Sequence, residues 1–88
     1  MDISIEFSEL IGSLDNDFIK KVIGKMDKTI VVKALKTIDP KISEKIFKNV
    51  TKEESETIKK LVFDLGTIRI EEIETAQKEM ISQIKKEQ

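Results

Sequence analysis

Apolar residues recur along this chain at helical spacing, broken at short intervals by capping and turn residues, and the pattern predicts six helices. A short one lies near Glu6 to Gly12. The second runs from Asp15 to Met26, with Asp15 as its natural N-cap and Phe18, Ile19, Val22, Ile23 and Met26 on one face. Thr29-Ile30-Val31-Val32 has strand propensity, but Val31, Ala34, Leu35 and Ile38 recur at helical spacing and no partner strand is evident. A buried third helix is therefore predicted. Asp39-Pro40 supplies a cap and a first-turn proline for the fourth, which lines up Ile42, Ile46, Phe47 and Val50.

Thr51-Lys52-Glu53-Glu54 reads as a capping box: the Thr51 hydroxyl accepts a free N–H of the first turn while Glu54 reaches back. Behind it, Ile58, Leu61, Val62 and Leu65 form an apolar stripe, with Glu53, Glu56, Lys59, Lys60 and Asp64 on other faces. Gly66 ends this fifth helix as a left-handed cap. Thr67-Ile68-Arg69-Ile70 then connects to a sixth helix from about Glu71 to Lys86, which buries Ile73, Ala76, Met80, Ile81 and Ile84. Glu71-Glu72 suit the positive end of its dipole and Lys85-Lys86 the negative end. The only arginine, Arg69, sits at that helix entrance.

Many amphipathic helices joined by short connections imply a compact all-α packing, and 88 residues without a low-complexity linker imply a single domain over residues 1–88. A chain this short buries roughly 60 to 65% of its unfolded surface, so its stability margin is modest.

Sixteen basic against seventeen acidic residues leave a net charge of −1, so no global field attracts nucleic acid or anionic lipid. Fifteen lysines alternate with acids, lack interleaved aromatics, and include the i, i+4 pairs Glu44/Lys48, Glu56/Lys60 and Glu74/Lys78, the signature of a solvated surface. The absence of cysteine and histidine removes disulfides, thiolate nucleophiles, the usual zinc sites and imidazole chemistry. No apolar run is long enough to span a bilayer, and the opening Met1-Asp2-Ile3-Ser4-Ile5-Glu6 is acidic and interrupted, unlike a signal peptide.

Other candidate chemistry reduces to structure. Met26, Met80 and the four phenylalanines fall at apolar helical positions and read as core. Glu53-Glu54 and Glu71-Glu72 lie in first helical turns, where acids stabilise the dipole and adjacent side chains point apart. Gly12, Gly24 and Gly66 are too scattered for a phosphate-cradling loop. Asn49-Val50-Thr51 matches a glycosylation sequon, but Thr51 already has a capping role. No enzyme activity and no cofactor or metal site is expected.

The stretch from Glu44 to Gln77 carries a resemblance. Glu44-Lys45-Ile46-Phe47-Lys48-Asn49-Val50-Thr51-Lys52 resembles the E-K-hydrophobic-aromatic-x-N-M-S-K segment of the C-terminal domain of the bacterial flagellar motor switch protein FliG. Leu65-Gly66-Thr67-Ile68-Arg69-Ile70 is similar to that family's G-P-V-R-L turn, and Glu71 to Lys78 follows its x-D-V-E-x-A-Q-x helix start. The pattern lies on the chain without gaps from about Leu14 to Lys86.

The resemblance implies a superhelical stack of short helices and a non-enzymatic rotor domain that meets the stator for torque generation and rotation switching. Its implied partners are a MotA-type stator cytoplasmic loop and other switch-complex proteins, with no nucleic acid and no direct membrane insertion. Its implied location is the bacterial cytoplasm, at the inner face of the inner membrane within the flagellar basal body. Lys36 coincides with a ridge lysine of the family's A-L-K segment, and Arg69 with the turn arginine. Glu53 stands where the family usually has a basic residue, and Lys60-Leu61 replace a pair of adjacent acids. Lys36, Glu53, Lys60 and Arg69 are thus the candidate stator-facing residues, and Leu61 is expected to face the core with its stripe. Ile5-Glu6-Phe7 keeps one aromatic of the family's M-F-x-F hinge. The alternative is a free-standing FliG-like interaction module, which an exposed apolar patch around Ile3, Ile5 and Phe7 would favour.

Overall fold

A computed structural model describes residues 2–88; Met1, the first residue of the opening discussed above, lies outside the described residues. Six helices and no strand are found among them: α1 (Ile3–Ser13), α2 (Asn16–Lys25), α3 (Lys28–Ala34), α4 (Pro40–Phe47), α5 (Lys52–Leu65) and α6 (Ile70–Glu87). The expected all-α stack is what forms.

Most boundaries are set by short polar side chains. Carboxylate oxygens of Asp2, Asp15, Asp27 and Asp39 accept the N–H groups of Ser4, Phe18, Thr29 and Lys41 at 2.7–2.9 Å, each satisfying one of the orphan donors of a first turn. The Asp2 cap explains why α1 begins at Ile3, three residues before the start expected from apolar spacing. Asp27 settles the ambiguous Thr29–Val32 run as helix by fixing its entrance, and Val31, Val32 and Ala34 are buried.

At α5 the Thr51 hydroxyl accepts the Glu54 N–H at 3.1 Å, but among the described residues the return bond from Glu54 does not form. A reciprocal bond of that kind appears instead at α6, where the Glu72 carboxylate accepts the Arg69 N–H at 3.4 Å. Gly66 has the expected positive φ of 66°, but its ψ of −151° places it in the extended mirror region and not the left-handed helical one. That region is essentially closed to residues with a Cβ.

The core draws on every helix. α3 packs against both α6 and α5, and α6 also lies along α1, giving a body of 34 × 31 × 22 Å. Phe7, Ala34, Ile46 and Met80 are fully buried at its centre. Burial of Phe7, with only Ile5 of the opening segment strongly exposed, leaves no apolar patch of the kind considered around Ile3, Ile5 and Phe7.

Two α5 expectations are corrected. Phe63 is 83% exposed and not core. Leu61 is 41% exposed, on the flank of the stripe and not within it, because Ile58 alone of that stripe is fully buried and sets the inward direction. At about 100° per residue, Leu61 lies roughly 60° from Ile58 and Phe63 roughly 140° from it.

Long-range polar bonds tie the short helices together at their C-terminal ends, where backbone carbonyls have no helical partner. Lys45 Nζ donates to the Gly12 carbonyl at 2.9 Å, and Gln77 Nε2 to the Ala34 carbonyl at 3.1 Å. Buried Asn49 donates from Nδ2 to the Lys45 carbonyl and to Asn16 Oδ1, which also commits the nitrogen that a sequon would need free.

Candidate functional site

The candidate residues lie on or around α5, which packs mainly against α3 and turns its opposite side to solvent. Glu53, in the first turn, and Lys60 are both exposed. Seven residues apart, they stand nearly in line on the outward face, about 10 Å apart along the axis. Lys60 pairs with Asp64, Nζ to Oδ2 at 3.7 Å, one turn beyond it, and not with Glu56 one turn before. At this exposure such a pair steers more than it stabilises.

Lys36 follows α3 in the turn Leu35–Thr37, and its position is less open than a surface-ridge assignment suggests. It is half-buried, and its ammonium donates to the Val62 carbonyl of α5 at 3.0 Å. One of its three donors is therefore used in holding α5 to the end of α3.

Arg69, the N-cap residue of α6, is exposed and stands beyond Gly66. It shares an open depression of about 570 Å³ with Lys33, Glu72 and Glu79, between α3 and α6. Lys33 and Glu72 approach to 4.0 Å there. The structure thus groups Glu53 and Lys60 on one face and fastens Lys36 to the same helix, while Arg69 marks its far end. Among the described residues no hydrogen bond or ion pair joins any two of these four.

No group of three acidic, histidine or cysteine side chains is placed to hold a metal ion among the described residues, and no helix there is long and apolar enough to cross a membrane. The arrangement can offer exposed charges on a rigid helix.

A family model described as the FliG C-terminal domain matches residues 4–88. The chain belongs to that family. No curated protein matches it. Membership makes it a structural motor-switch type of domain, built for protein–protein interaction in the flagellar motor, and not a member of an enzyme family.

Against that background two residues stand out that reasoning from sequence did not single out. Phe63 projects from the outward face of α5, an aromatic ring on the solvent side of the helix. Lys59 is four residues before it, with its ammonium 5.0 Å from the centroid of the Phe47 ring, a cation–π contact that ties α5 to the end of α4. The signal for Phe63 was its 140° offset from Ile58, which residue type alone concealed.

Gln77 is the other. It is fully buried, accepts from the Ser4 hydroxyl at 3.1 Å and donates to the Ala34 carbonyl, bridging α1, α3 and α6. Its place four residues after Ile73 and four before Ile81, inside an apolar stripe, was the available clue.

Proposed function

We propose that this FliG-type domain, read as one unit over residues 1–88, is a rotor-side element of the flagellar switch complex, working at the cytoplasmic face of the inner membrane. Its α5 ridge meets the cytoplasmic loop of a MotA-type stator and contributes to torque generation and direction switching. Lys36, Glu53, Lys60 and Arg69 are the charges offered to that loop, and other switch-complex proteins are its remaining partners. The observation that carries the reading is the placement of Glu53 and Lys60 in line on the face of α5 opposite Ile58, with Lys36 fastened to the same helix.

Physical chemistry suits the task. A rotor must make and break stator contacts repeatedly, so each contact has to be weak and quickly reversible. Exposed charge pairs contribute roughly 0.2 to 1 kcal/mol each and act over about 8 Å at physiological ionic strength, enough to steer without sticking. Energy comes from the stator's ion flow. Relative to the family pattern, the signs at positions 53 and 60 are reversed, so the stator loop that fits this ridge carries correspondingly reversed charge.

The test is charge reversal in the native bacterium. Lys36→Glu with Arg69→Glu should leave cells flagellated but paralysed. Because Lys36→Glu also removes the bond to Val62, Lys60→Glu with Arg69→Glu is made in parallel; it reverses two ridge charges and leaves that bond in place. Normal swimming by both strains would show that the ridge is not the stator contact.

A further inference from the structure

Phe63 is unusual for its position. At 83% exposed it adds nothing to the core, and phenylalanine is only a middling helix former, so the fold does not account for it. One turn before it along the helix stand Lys60, on the outward face, and Lys59, whose ammonium turns toward the Phe47 ring at the edge of that face.

The charge around it is locally positive in a chain whose net charge is −1. From residue 59 to residue 69 the cations are Lys59, Lys60 and Arg69, and the Lys36 ammonium comes in at the Val62 carbonyl. The single acid in that stretch, Asp64, is already engaged by Lys60. Acids of α5 gather at its other end, in Glu53, Glu54 and Glu56. Beyond Gly66 the same pairing recurs on a smaller scale, with half-exposed Ile70 beside Arg69. An exposed aromatic on a helix, with two lysines one turn before it and few acids nearby, has the composition of a binding hot spot: it has two rotatable side-chain bonds to immobilise and a large apolar area to bury.

We propose that Phe63 anchors the partner on the α5 ridge, and that the segment seated on it is an acidic stretch of the stator's cytoplasmic loop. Its carboxylates meet Lys59 and Lys60, and its aliphatic side chains close over the Phe63 ring. This rests on the stator reading above and adds an apolar contact to an otherwise electrostatic one. Charge complementarity selects the acidic occupant. The ridge grips through two forces with different responses to salt: charge pairs fade as the screening length falls from about 8 Å to about 3 Å at 1 M, whereas apolar burial does not.

That difference supplies the experiment. The purified full chain is titrated with the purified cytoplasmic loop of the cognate stator at physiological salt and at high salt, using wild type, Phe63→Ser and Lys60→Glu. Sedimentation of wild type and Phe63→Ser alone runs alongside. Phe63→Ser should weaken binding about tenfold or more at both salt concentrations, the scale of a lost aromatic anchor. Lys60→Glu should weaken it chiefly at the lower salt. Wild-type affinity for Phe63→Ser at both concentrations would overturn the anchor while leaving the stator reading intact. Self-association that Phe63→Ser abolishes would assign the face to a second copy and overturn it as well. If wild type does not bind the loop at all, the stator reading falls too, and normal swimming by the Lys60→Glu/Arg69→Glu strain marks that case.

Discussion

Gln77 and Phe63 depart from the inside–outside rule in opposite directions, and the departures have different physical consequences. Gln77 is a polar side chain with no exposed surface, yet its amide is used on both sides, by the Ser4 hydroxyl and the Ala34 carbonyl. A buried amide so paired fixes how three helices meet, and removing it leaves a carbonyl without a partner away from water. Phe63 is an apolar ring in solvent with no part in the core. One misplacement is resolved within the molecule; the other is left open at its surface. A residue whose environment contradicts its chemistry therefore points to function only after internal partners have been looked for and not found.

The sharpest way to break this contrast is to truncate both. Gln77→Ala removes two long-range bonds, opens a cavity and orphans the Ala34 carbonyl, and should cost about 2 to 4 kcal/mol, read as a lower urea midpoint at unchanged slope. Gly66→Ala comes next: φ of 66° with ψ of −151° strains any Cβ, and a loss of about 1 to 3 kcal/mol is expected in the same measurement even though no atom beyond its two chain neighbours lies within 4 Å of the added methyl. Phe63→Ser, by contrast, should leave the midpoint within about 0.5 kcal/mol of wild type, while changing binding as described above. A large stability loss there would place the ring in the fold after all.

The smallest effect concerns Glu87. The hydrogen bond from Lys25 Nζ at 2.8 Å, more than any other influence, holds its carboxyl below the ordinary value. An acid with a depressed folded-state value contributes stability above its unfolded value and loses it as the pH falls through the lowered one. The difference in urea midpoint between wild type and Glu87→Gln should therefore be present near neutrality and shrink towards zero on acidification below the carboxylate range.

Much of the architecture was legible because local rules suffice for it. Asp15, Asp39 and Thr51 announced three helix starts from sequence, and Asp39-Pro40 fixed the entry of α4 to the residue. Asp2 and Asp27 used the same chemistry but preceded runs whose periodicity was short or mixed, so α1 was read too late and α3 had to be argued against a strand. The site was less legible. Glu53 and Lys60 share a face by arithmetic alone, and that could be read. The attachment of Lys36 to Val62 joins residues 26 positions apart and leaves no trace in local pattern. Phe63 was assigned inward on residue type, although its angular distance from Ile58 already argued otherwise. Leu61 sat on the same boundary, where one side chain's inclination decides between core and solvent.

The mounting of α5 also bears on how such a domain changes over generations. Its inward side is fixed by Ile58 packed towards α3, while Glu53, Lys60 and Phe63 all stand on the opposite side, without side-chain hydrogen bonds or ion pairs to the other helices among the described residues. Substitutions on that side are nearly neutral for folding, so selection can exchange one charge for its opposite, or a charge for a ring, without passing through an unstable ancestor. A helix held from one side can thus exchange its outward surface over generations while the scaffold beneath it stays the same.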